Sequence, residues 1–544
     1  MKLGELYKKN MKRNAFLTGA AILAVAGIIC RLLGLAFRIP LANIVGNFGM
    51  GLYQMVFPIY ALLLIVSSAG IPIAISKMVA RESSGGNHDE CKRILRASVW
   101  LLGTIGVIFT VLLLVLSGPI ARLQGNEEVV KIYFAIAPSI FLVCVISAFR
   151  GYFQGLQNMI PTAVSQIIEQ FIKVAVGIVL ALILSSISPE WAVFGAILAI
   201  TVAEIFALVF LTAVYLKHRK DKPQKAKGAE SDSKEESDTK EKDLLANLTN
   251  FQLAIKILKH SLPVTAMAAV FPLILVFDSL IVINLLQRAG HDNHVATQLF
   301  GISTGTVHTL INMPAVLGVA VATAVVPTVS SLLKQEKIKE LRSKCALAVK
   351  LITLIALFFT LFYIAFSSQI INLLYSKAFE NNQEHFRIAT WLLKIEATMI
   401  MMMGISQVFT AMLQGAGRAK FPLMAIAIGG AAKIIVQLIL LPTPVGIFAV
   451  SIGNVLCFAI AGSLNTWFAL KHFKFKGNLM RVWWRFLILV GMYTLVLLGI
   501  ALLMPEGKGW IIIGGAIAFA IYLALVWFLQ IFSKEERKAL TKGA

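Results

Sequence analysis

Apolar stretches long enough to cross a lipid bilayer recur from one end of the chain to the other. A membrane-spanning helix needs about 20 mostly apolar residues, and hydrocarbon offers its backbone no water to bond with. Fourteen segments meet this requirement, at about residues 15–37, 51–76, 97–117, 129–149, 161–184, 191–216, 262–286, 297–333, 346–366, 388–413, 421–441, 445–470, 483–504 and 510–532. They predict an all-α polytopic membrane protein with 14 transmembrane helices.

Basic residues are distributed asymmetrically among the connections between these segments. If the N-terminus is cytoplasmic, the cytoplasmic connections and termini hold 39 of the 50 Lys and Arg residues, the outer connections hold 7, and the segments hold 4. This is the positive-inside pattern, and it predicts that both termini are cytoplasmic. The formal net charge of +23 therefore lies at the inner surface, where it indicates contact with anionic membrane lipids rather than with nucleic acid.

One polar segment, residues 217–250, interrupts the apolar pattern. It is rich in Lys, Glu, Asp and Ser, so we predict a disordered cytoplasmic linker. The linker separates an N-lobe of six spans, residues 1–216, from a C-lobe of six spans, residues 251–470. Residues 471–544 add spans 13 and 14 and a cytoplasmic tail.

The second and eighth segments are longer than one crossing of the membrane requires. The second contains Pro72, and the eighth contains Pro314 and Pro327. Because proline removes a helical hydrogen bond, we expect both segments to be tilted or broken.

The two lobes carry similar motifs. RGYFQG, with Gln154, precedes the fifth span, and TAMLQG, with Gln414, precedes the eleventh. These glutamines lie 260 residues apart, as do Lys173 and Lys433. A repeated unit with an even number of spans runs parallel to its copy and places the substrate path between the lobes. Gln154, Gln414 and the neighbouring Arg150 are therefore predicted to lie at a gate or lobe interface.

Ionisable residues inside spans are costly to insert, so they normally face a partner or a wet cavity. Arg31 and Arg38 lie seven residues apart in the first span and therefore on one face of the helix. Guanidinium groups on one face suit phosphate, because each planar fork donates two hydrogen bonds at once. We predict that both bind substrate. The alternatives are a structural ion pair for Arg31 and an interfacial position for Arg38.

The fifth span carries a polar stripe at helical spacing. It consists of Gln166, Glu169, Gln170 and Lys173. Glu169 precedes Lys173 by four residues, the order that favours an ion pair within a helix. The stripe either holds helices together as a neutral pair or lines a substrate cavity, and the recurrence of Lys173 as Lys433 favours the cavity. One turn before Lys433 stands Gly429, so this lysine is predicted to be available to an anion.

Three further acids lie within spans: Glu204, Asp278 and Glu396. Glu204 and Asp278 are candidates for ion coupling, because a buried carboxylate can take up a proton or a cation. For Asp278 the alternative is an ion pair with Arg31. Glu396 lies near the start of its predicted span, and we expect it to be structural. His308 is expected to be a packing histidine rather than a proton relay.

The sequence contains no Walker A motif, no GxSxG motif and no clustered His, Cys and Asp ligands. We therefore expect no catalytic residues, no metal site and no cofactor, with the membrane potential or an ion gradient as energy source. His291 and His294 have a metal-like spacing, but we interpret their outer loop as an ordinary polar connection. The outer loops are short, which argues against a membrane glycosyltransferase with its catalytic acid or base in such a loop.

Two stretches together resemble a known family. RGYFQG continues from Arg150 through Pro161 to Glu169 and Gln170, and the first span contains RLLGLAFRIP from Arg31. These stretches resemble the polysaccharide-transporter branch of the MOP exporter superfamily. Within that branch they are most similar to the stage V sporulation protein B and lipid II flippase group of low-GC Gram-positive bacteria. The likeness covers essentially the whole chain, including its six, six and two spans.

The resemblance implies a flippase of the bacterial cell membrane. Such a protein would move an undecaprenyl-pyrophosphate-linked glycan, first of all the peptidoglycan precursor lipid II, to the outer leaflet by alternating access. Arg31 would engage the pyrophosphate, whereas Arg38 stands one residue beyond the family position. Cell-wall synthesis proteins are expected partners, in growth or in sporulation. The alternatives are another lipid-linked unit (teichoic, capsular, exopolysaccharide or spore cortex) and a multidrug or cation antiporter of the same superfamily.

Overall fold

The computed structural model describes residues 2–68, 70–220, 250–380, 382–473, 479–503, 507, 509–533 and 536–537. Within those ranges the secondary structure is helical and includes no β-strand, which confirms the predicted all-α class. The helices are α1 (Lys2–Ser68), α2 (Ile71–Ser84), α3 (His88–Gln124), α4 (Val129–Gly155), α5 (Ile160–Leu184), α6 (Pro189–Lys220), α7 (Asn250–Arg288), α8 (Asn293–Phe300), α9 (His308–Lys334), α10 (Ile338–Tyr375), α11 (Gln383–Gly415), α12 (Lys420–Leu440), α13 (Phe448–Phe473), α14 (Leu479–Leu503) and α15 (Trp510–Phe528). A π-helix, Gly301–Val307, joins α8 to α9, and a 3-10 helix, Ser376–Phe379, follows α10.

Thirteen helical stretches in the described ranges are long and apolar enough to cross a membrane. The first, Ile22–Ser84, has 63 residues and covers most of the first predicted span and all of the second. As a straight helix it would extend about 95 Å, roughly three times the thickness of the hydrocarbon core. It is not straight, because Gly46 has φ 67° and ψ −175°, a conformation that glycine adopts readily. The stretch breaks again before α2, where Pro72 stands in the first turn.

In the eighth span, α9 continues through Pro314 and Pro327, and the irregular backbone is the π-helix that precedes both prolines. Within α9, Pro314 has no N–H to donate to the carbonyl of Leu310, four residues earlier. The hydroxyl of Tyr363, on α10, donates to that carbonyl at 3.2 Å. Inside the π-helix, the carbonyl of Thr304 accepts a hydrogen bond from the Gln54 side chain of α1. The irregular backbone of this stretch is therefore bonded by side chains from two neighbouring helices.

The chain divides into two compact units. The first comprises Met1–Phe37 and Met55–Ser279, and the second comprises Arg38–Gln54 and Leu280–Ala544. Relative to the predicted lobes, a short piece of α1 joins the second unit and most of α7 joins the first. The helices α6 and α7 end and begin at Lys220 and Asn250. Most of the predicted linker therefore lies outside the described residues, and its disorder stays a prediction.

The internal repeat is visible in how the helices pack. Gly155, at the end of α4, lies so close to α2 that a Cβ on it would be 2.9 Å from the carbonyl oxygen of Ser76. Gly415, at the end of α11, approaches α9 in the same way, 2.7 Å from the carbonyl oxygen of Val326. The two contacts are related by 260 residues in α4 and α11 and by 250 residues in α2 and α9. The same pair of helices is thus packed twice.

A second packed pair follows the same register, but its small residue changes sides. On α3, Gly106 faces α4, where a Cβ would be 3.1 Å from the Cβ of Cys144 and 2.8 Å from the Cα of Phe141. In the second half the glycine is Gly404 on α11, where a Cβ would be 3.6 Å from the Cβ of Ala356 on α10. Gly106 and Ala356 are 250 residues apart, and Cys144 and Gly404 are 260 apart. Each contact accommodates one small residue, on opposite helices in the two halves.

The turns after α4 and α11 also correspond. Each contains a left-handed residue, Gln157 with φ 59° and Gly417 with φ 73°. The N–H of the following residue donates to the carbonyl five residues before it, at 3.0 Å in the first turn and 2.8 Å in the second. This arrangement is the Schellman motif, in which glycine is the usual left-handed residue. The first half uses a glutamine there instead.

The last two helices, α14 and α15, pack on α10. The Phe358 ring of α10 contacts three aromatic side chains of these helices. The hydroxyl of Tyr522 donates to the carbonyl of Leu354 at 2.8 Å. Beyond α15, Lys350 donates to both carboxylate oxygens of Glu536, at 2.8 and 2.9 Å. The C-terminal helices and the residues after them are thereby attached to the second unit.

Candidate functional site: two polar clusters within the helices

A cluster of charged side chains lies where the end of α4 meets α5, within the first unit. Arg150 donates from Nη2 to Oε2 of Glu169 at 2.9 Å and from Nε to Oγ of Ser165 at 3.1 Å. The two charged side chains are largely buried, with 14% and 19% of their surfaces exposed. Arg150 is therefore held in a hydrogen-bonded ion pair between two helices.

The pair continues along α5 as a chain of hydrogen bonds. Gln170 donates from Nε2 to the second carboxylate oxygen of Glu169 at 3.0 Å, and its Oε1 accepts from Nζ of Lys173. The Lys173 ammonium lies 5.9 Å from the centre of the Phe37 ring on α1, within the range of a cation–π interaction. An amide thus stands between Glu169 and Lys173, and the ion-pair partner of Glu169 is Arg150.

The Phe37 ring of α1 packs against α5. In the next turn of α5, Gly177 leaves room for this ring, because a Cβ there would be 2.8 Å from its Cε2. Arg31 precedes Phe37 by six residues, or about 9 Å along the helix axis. Its neighbour Cys30 lies within electrostatic range of Glu169. Arg31 therefore lies on the part of α1 that precedes its contact with α5.

Arg31 is exposed, whereas the charged residues Arg150, Glu169 and Lys173 are half-buried. The Arg31 side chain forms no hydrogen bond or ion pair with any residue that the structure describes. In particular it does not pair with Asp278, which lies on α7 with 4% of its surface exposed. The predicted alternative of an Arg31–Asp278 ion pair is therefore wrong. Substrate binding by Arg31 remains a prediction.

Glu204, on α6, brings a second carboxylate to this region. It is 3% exposed, and its Oε2 has no hydrogen-bond partner in the described ranges. It lies within electrostatic range of Glu169, Arg150 and Lys173. We call the following residues the N-terminal cluster: Arg150, Ser165, Glu169, Gln170, Lys173 and Glu204. Two formal positive and two formal negative charges balance within it.

The remaining predicted site residues lie elsewhere. Lys433, on α12, is 3% exposed, and its stem packs on α13, where a Cβ at Gly453 would be 3.0 Å from its Cγ. Arg38 is half-buried in the second unit. Gln154 is half-buried and Gln414 exposed, at the ends of α4 and α11. Their roles in substrate binding and gating remain predictions.

A second polar cluster joins α9, α11 and α13 within the second unit. Glu396 is fully buried, and its Oε1 accepts hydrogen bonds from Oγ of Ser451 at 2.9 Å and Nδ2 of Asn454 at 3.1 Å. Its Oε2 lies 3.6 Å from Nδ1 of His308. Neither of these two atoms has a hydrogen-bond partner within the described part of the chain. We call these four residues the C-terminal cluster.

Sequence reasoning missed the C-terminal cluster. Glu396 and His308 are 88 residues apart, and the sequence predicts a structural role for each. Helix α11 begins at Gln383, earlier than predicted, so Glu396 lies near its middle rather than at its start. His308 follows the π-helix, whose extra residue per turn changes the direction of the side chains after it. The one signal in the sequence was a buried acid together with a polar face on the eighth span.

Neither cluster has the composition of a metal site. Across the described ranges, no three His, Cys, Asp or Glu side chains converge. In the outer loop with metal-like spacing, the Asp292 side chain caps α8 by accepting from the N–H of His294 at 3.0 Å. The ring of His294 stacks on Phe48, with their centres 4.3 Å apart. These side chains act in capping and stacking contacts.

In the described ranges, the helical secondary structure, the thirteen candidate spans and the ionisable clusters inside them are the architecture of a multi-pass membrane transporter. Residues 16–333 match the polysaccharide biosynthesis protein family, and residues 307–514 match the lipid II flippase MurJ family. The first match covers more than half of the chain. The chain therefore belongs to the polysaccharide biosynthesis protein family.

Relatives and a solved structure agree with this assignment. The chain is 29% identical over 370 residues to stage V sporulation protein B of Bacillus subtilis (strain 168). This alignment covers 68% of each chain. It is 24% identical over 437 residues to the lipid II flippase MurJ of the same organism, covering 77% of this chain and 76% of the other. A structure of lipid II flippase MurJ in an inward closed conformation has a TM-score of 0.66 at 15% identity, over 94% of this chain and 99% of the other. The predicted family resemblance is confirmed.

Proposed function

We propose that this chain flips an undecaprenyl-pyrophosphate-linked glycan, with lipid II as the first candidate, from the inner to the outer leaflet of the bacterial cell membrane. The observation that carries the proposal is Arg31, an exposed guanidinium on a membrane-spanning helix with no partner in the described ranges. Such a charge is costly in a membrane. A diphosphate satisfies it with paired, charge-assisted hydrogen bonds.

The physical requirements of the reaction fit this assignment. A lipid-linked glycan has an anionic head that hydrocarbon excludes and a tail that stays in hydrocarbon. Fixed cations along a spanning helix replace the hydration that the diphosphate loses on its way across. With the inside negative and both termini cytoplasmic, export of an anion gains about 2.3 kcal/mol per charge for every 100 mV. The membrane potential or an ion gradient is then the energy source.

The N-terminal cluster supplies a second cation. The bonds of Glu169 and Gln170 hold the Lys173 ammonium over Phe37, on the helix that carries Arg31. In the proposal, Arg31 and Lys173 contact the diphosphate, and Arg38 and Lys433 contact it at another stage of transport. Arg150 positions Glu169, because its guanidinium is already paired with that carboxylate.

The proposal is tested by replacing Arg31 in a strain depleted of its lipid II flippase. Arg31→Ala is expected to abolish rescue of growth, and Arg31→Lys to restore it in part, since lysine keeps the charge but not the fork. The matched control is Arg122→Ala, because Arg122 is also exposed but pairs with Glu127 at 3.4 Å. Full rescue by Arg31→Ala at normal expression would contradict the proposal.

A second candidate substrate is another lipid-linked glycan. The observation that favours it is the 29% identity to stage V sporulation protein B, which exceeds the 24% identity to the lipid II flippase. The chain is therefore also tested in a strain lacking stage V sporulation protein B. Rescue of only that strain would assign the sporulation glycan. Rescue of neither strain, with correct membrane insertion, would contradict both assignments.

A further inference from the structure

The C-terminal cluster contains two buried polar atoms that face each other without a hydrogen bond. Oε2 of Glu396 and Nδ1 of His308 are 3.6 Å apart, and neither atom has a hydrogen-bond partner in the described ranges. The other carboxylate oxygen is fully bonded, by Ser451 and Asn454. The cluster is thus built around the carboxyl group and is incomplete at one position. A shift of a few tenths of an ångström would bring the two atoms within hydrogen-bond distance.

The charge of this pair depends on one proton. With Glu396 ionised and His308 neutral, the pair has a net negative charge inside the helices. With one more proton it is neutral overall, either as carboxylic acid and imidazole or as carboxylate and imidazolium. Burying an uncompensated charge costs far more than burying a neutral, hydrogen-bonded pair. The pair with one more proton is therefore the form that is less costly to bury.

Among the described residues, no Lys or Arg side chain forms an ion pair with Glu396. The π-helix offers hydroxyl groups, α13 offers Ser451 and Asn454, and α10 offers Tyr363, whose hydroxyl donates to Leu310. On α11 itself, Lys394 lies 4.7 Å from the centre of the Trp391 ring. Lys377, in the 3-10 helix, is exposed and lies near the start of α11, about 20 Å along the axis from Glu396. From α12, Lys433 packs on α13 at Gly453, next to Asn454.

We propose that His308 and Glu396 form a proton-binding site. His308 is the entry residue, because 21% of its side chain is exposed whereas Glu396 is fully buried. The proton comes from water in contact with the imidazole and passes to the hydrogen bond between Nδ1 and Oε2. No other bond forms or breaks, and the proton leaves by the same route. Ser451 and Asn454 hold the carboxyl group in place in both states.

The site adjoins a segment suited to respond to its occupancy. The backbone N–H of His308 donates to the carbonyl of Ser303 inside the π-helix, and the carbonyl of Thr304 accepts from Gln54 of α1. A movement of His308 towards Glu396 therefore acts on the contact between the π-helix and α1. If the proposed flippase function holds, proton binding at this site is one way in which an ion gradient drives the cycle.

Infrared spectroscopy of the full chain in lipid nanodiscs tests the site without any substrate. A protonated carboxyl group has a C=O stretching band that carboxylates lack, and we expect a pH-dependent band that Glu396→Gln removes. Gln preserves the shape of the side chain and can accept from Ser451 and Asn454, so the variant should fold. Ser451→Ala should shift the frequency of the band, and His308→Gln should change the pH at which it appears. The control Glu340→Gln, at an exposed position, should leave it unchanged.

The outcomes separate this proposal from the proposed function. An identical band in the wild type and in folded Glu396→Gln overturns the proton site. If Glu396→Gln does not fold, a band unaffected by both Ser451→Ala and His308→Gln overturns it. A Glu396 band in a chain that fails to rescue any flippase-depleted strain supports the proton site and contradicts the proposed function alone.

Discussion

The N-terminal and C-terminal clusters occupy different positions of one repeated helix plan. Under the 260-residue register, Arg150 and Glu169 of the first half correspond to Thr410 and Gly429 of the second. A charged side chain cannot replace Gly429, because even a Cβ there would be 2.4 Å from the carbonyl oxygen of Cys457. In the second half, Gly429 allows two helices to pack closely, whereas in the first half Glu169 forms an ion pair.

The converse holds for the C-terminal cluster. Glu396 corresponds to Ile136, a fully buried apolar residue of α4. One charge is common to both halves, since Lys173 corresponds to Lys433, but the first contacts the Phe37 ring and the second packs on α13. The duplicated helices therefore keep the same contacts at glycines while their polar residues have diverged. The paired carboxylate of the first cluster, Glu169, is 19% exposed, whereas that of the second, Glu396, is fully buried.

The largest effect on stability is expected at the C-terminal cluster. Glu396→Ala leaves the donors of Ser451 and Asn454 buried without an acceptor and opens a cavity, which should cost about 3–5 kcal/mol of the free energy of unfolding. Glu396→Gln keeps the acceptor and should cost less than about 1.5 kcal/mol. Denaturation in lipid nanodiscs measures both. Equal losses for the two variants would show that the hydrogen bonds of this cluster contribute little.

The next largest effect on stability is expected at Gly429, the position that corresponds to Glu169 of the first half. Gly429→Ala forces a Cβ towards the carbonyl of Cys457, and such overpacking should destabilise the chain by about 1–3 kcal/mol. The control is Gly491→Ala on α14, where nothing lies within 4 Å of the added Cβ. That control should be neutral or slightly stabilising, because alanine favours a helix over glycine. If Gly429→Ala did not change the stability, close packing would not explain why the second half has no acid at the position of Glu169.

Breaking the ion pair of the N-terminal cluster should cost less free energy of unfolding than removing Glu396 from the C-terminal cluster. Glu169→Gln leaves Arg150 without a charged partner, and because both side chains are partly exposed we expect a loss of about 1–2 kcal/mol. A double-mutant cycle with Arg150→Met isolates the energy of the pair. The same cycle on Asp89 and Lys92, which are 2.9 Å apart at an exposed site, serves as the control and should give at most about 0.5 kcal/mol. Equal coupling energies would mean that burial does not strengthen the Arg150 pair.

A smaller effect distinguishes the corresponding turns after α4 and α11. Gln157→Gly should stabilise the chain by about 0.5–1 kcal/mol, because glycine adopts a positive φ without strain. Gly417→Gln should have the opposite sign and a similar size. Melting temperatures of the two variants check this. A loss of stability in Gln157→Gly would show that the glutamine side chain contributes more than its backbone strain costs.

The smallest effect concerns a contact without a counterpart in the first half, between Lys350 and Glu536. Burial alone would raise the pKa of Glu536, but hydrogen bonds from Lys350 and the Ser533 N–H hold that pKa below its ordinary value. The contact is therefore fully formed above the ordinary carboxyl pKa and is lost as the pH falls through the lowered one. The protection factors of the amides in residues 529–533, which correct for the intrinsic pH dependence of exchange, should fall at acidic pH. In Glu536→Gln these protection factors should not depend on pH.

The span plan could be predicted from the sequence because its cause is local. About 20 apolar residues are needed for each crossing, so hydrophobicity alone located the helices. Pro72 marked the break before α2, whereas Pro314 and Pro327 lie inside a continuous helix. The count differs only in the first stretch, where the helix continues from Lys2 to Ser68 through the kink at Gly46. A backbone turn at one glycine leaves no mark on hydropathy.

The polar clusters were predictable only in part, because they depend on contacts between helices. The stripe of α5 follows from helical periodicity, and the structure brings Glu169 and Lys173 together with Arg150 and Glu204. That Arg150 rather than Lys173 pairs with Glu169 depends on how α4 ends. The contact of His308 with Glu396 depends on the π-helix, and helical periodicity in the sequence assumes a regular α-helix.

The exchanged glycines at Gly106 and Gly404 bear on how far the halves of a duplicated protein can be recombined. A chimera with α3 in place of α10 would set Gly106 against Gly404 and leave a void between two bare backbones. The reverse graft would set Ala356 against Cys144, two side chains where the first half holds one. Each half has thus become specific for its own partner helices, and a functional hybrid would have to exchange these helices as pairs.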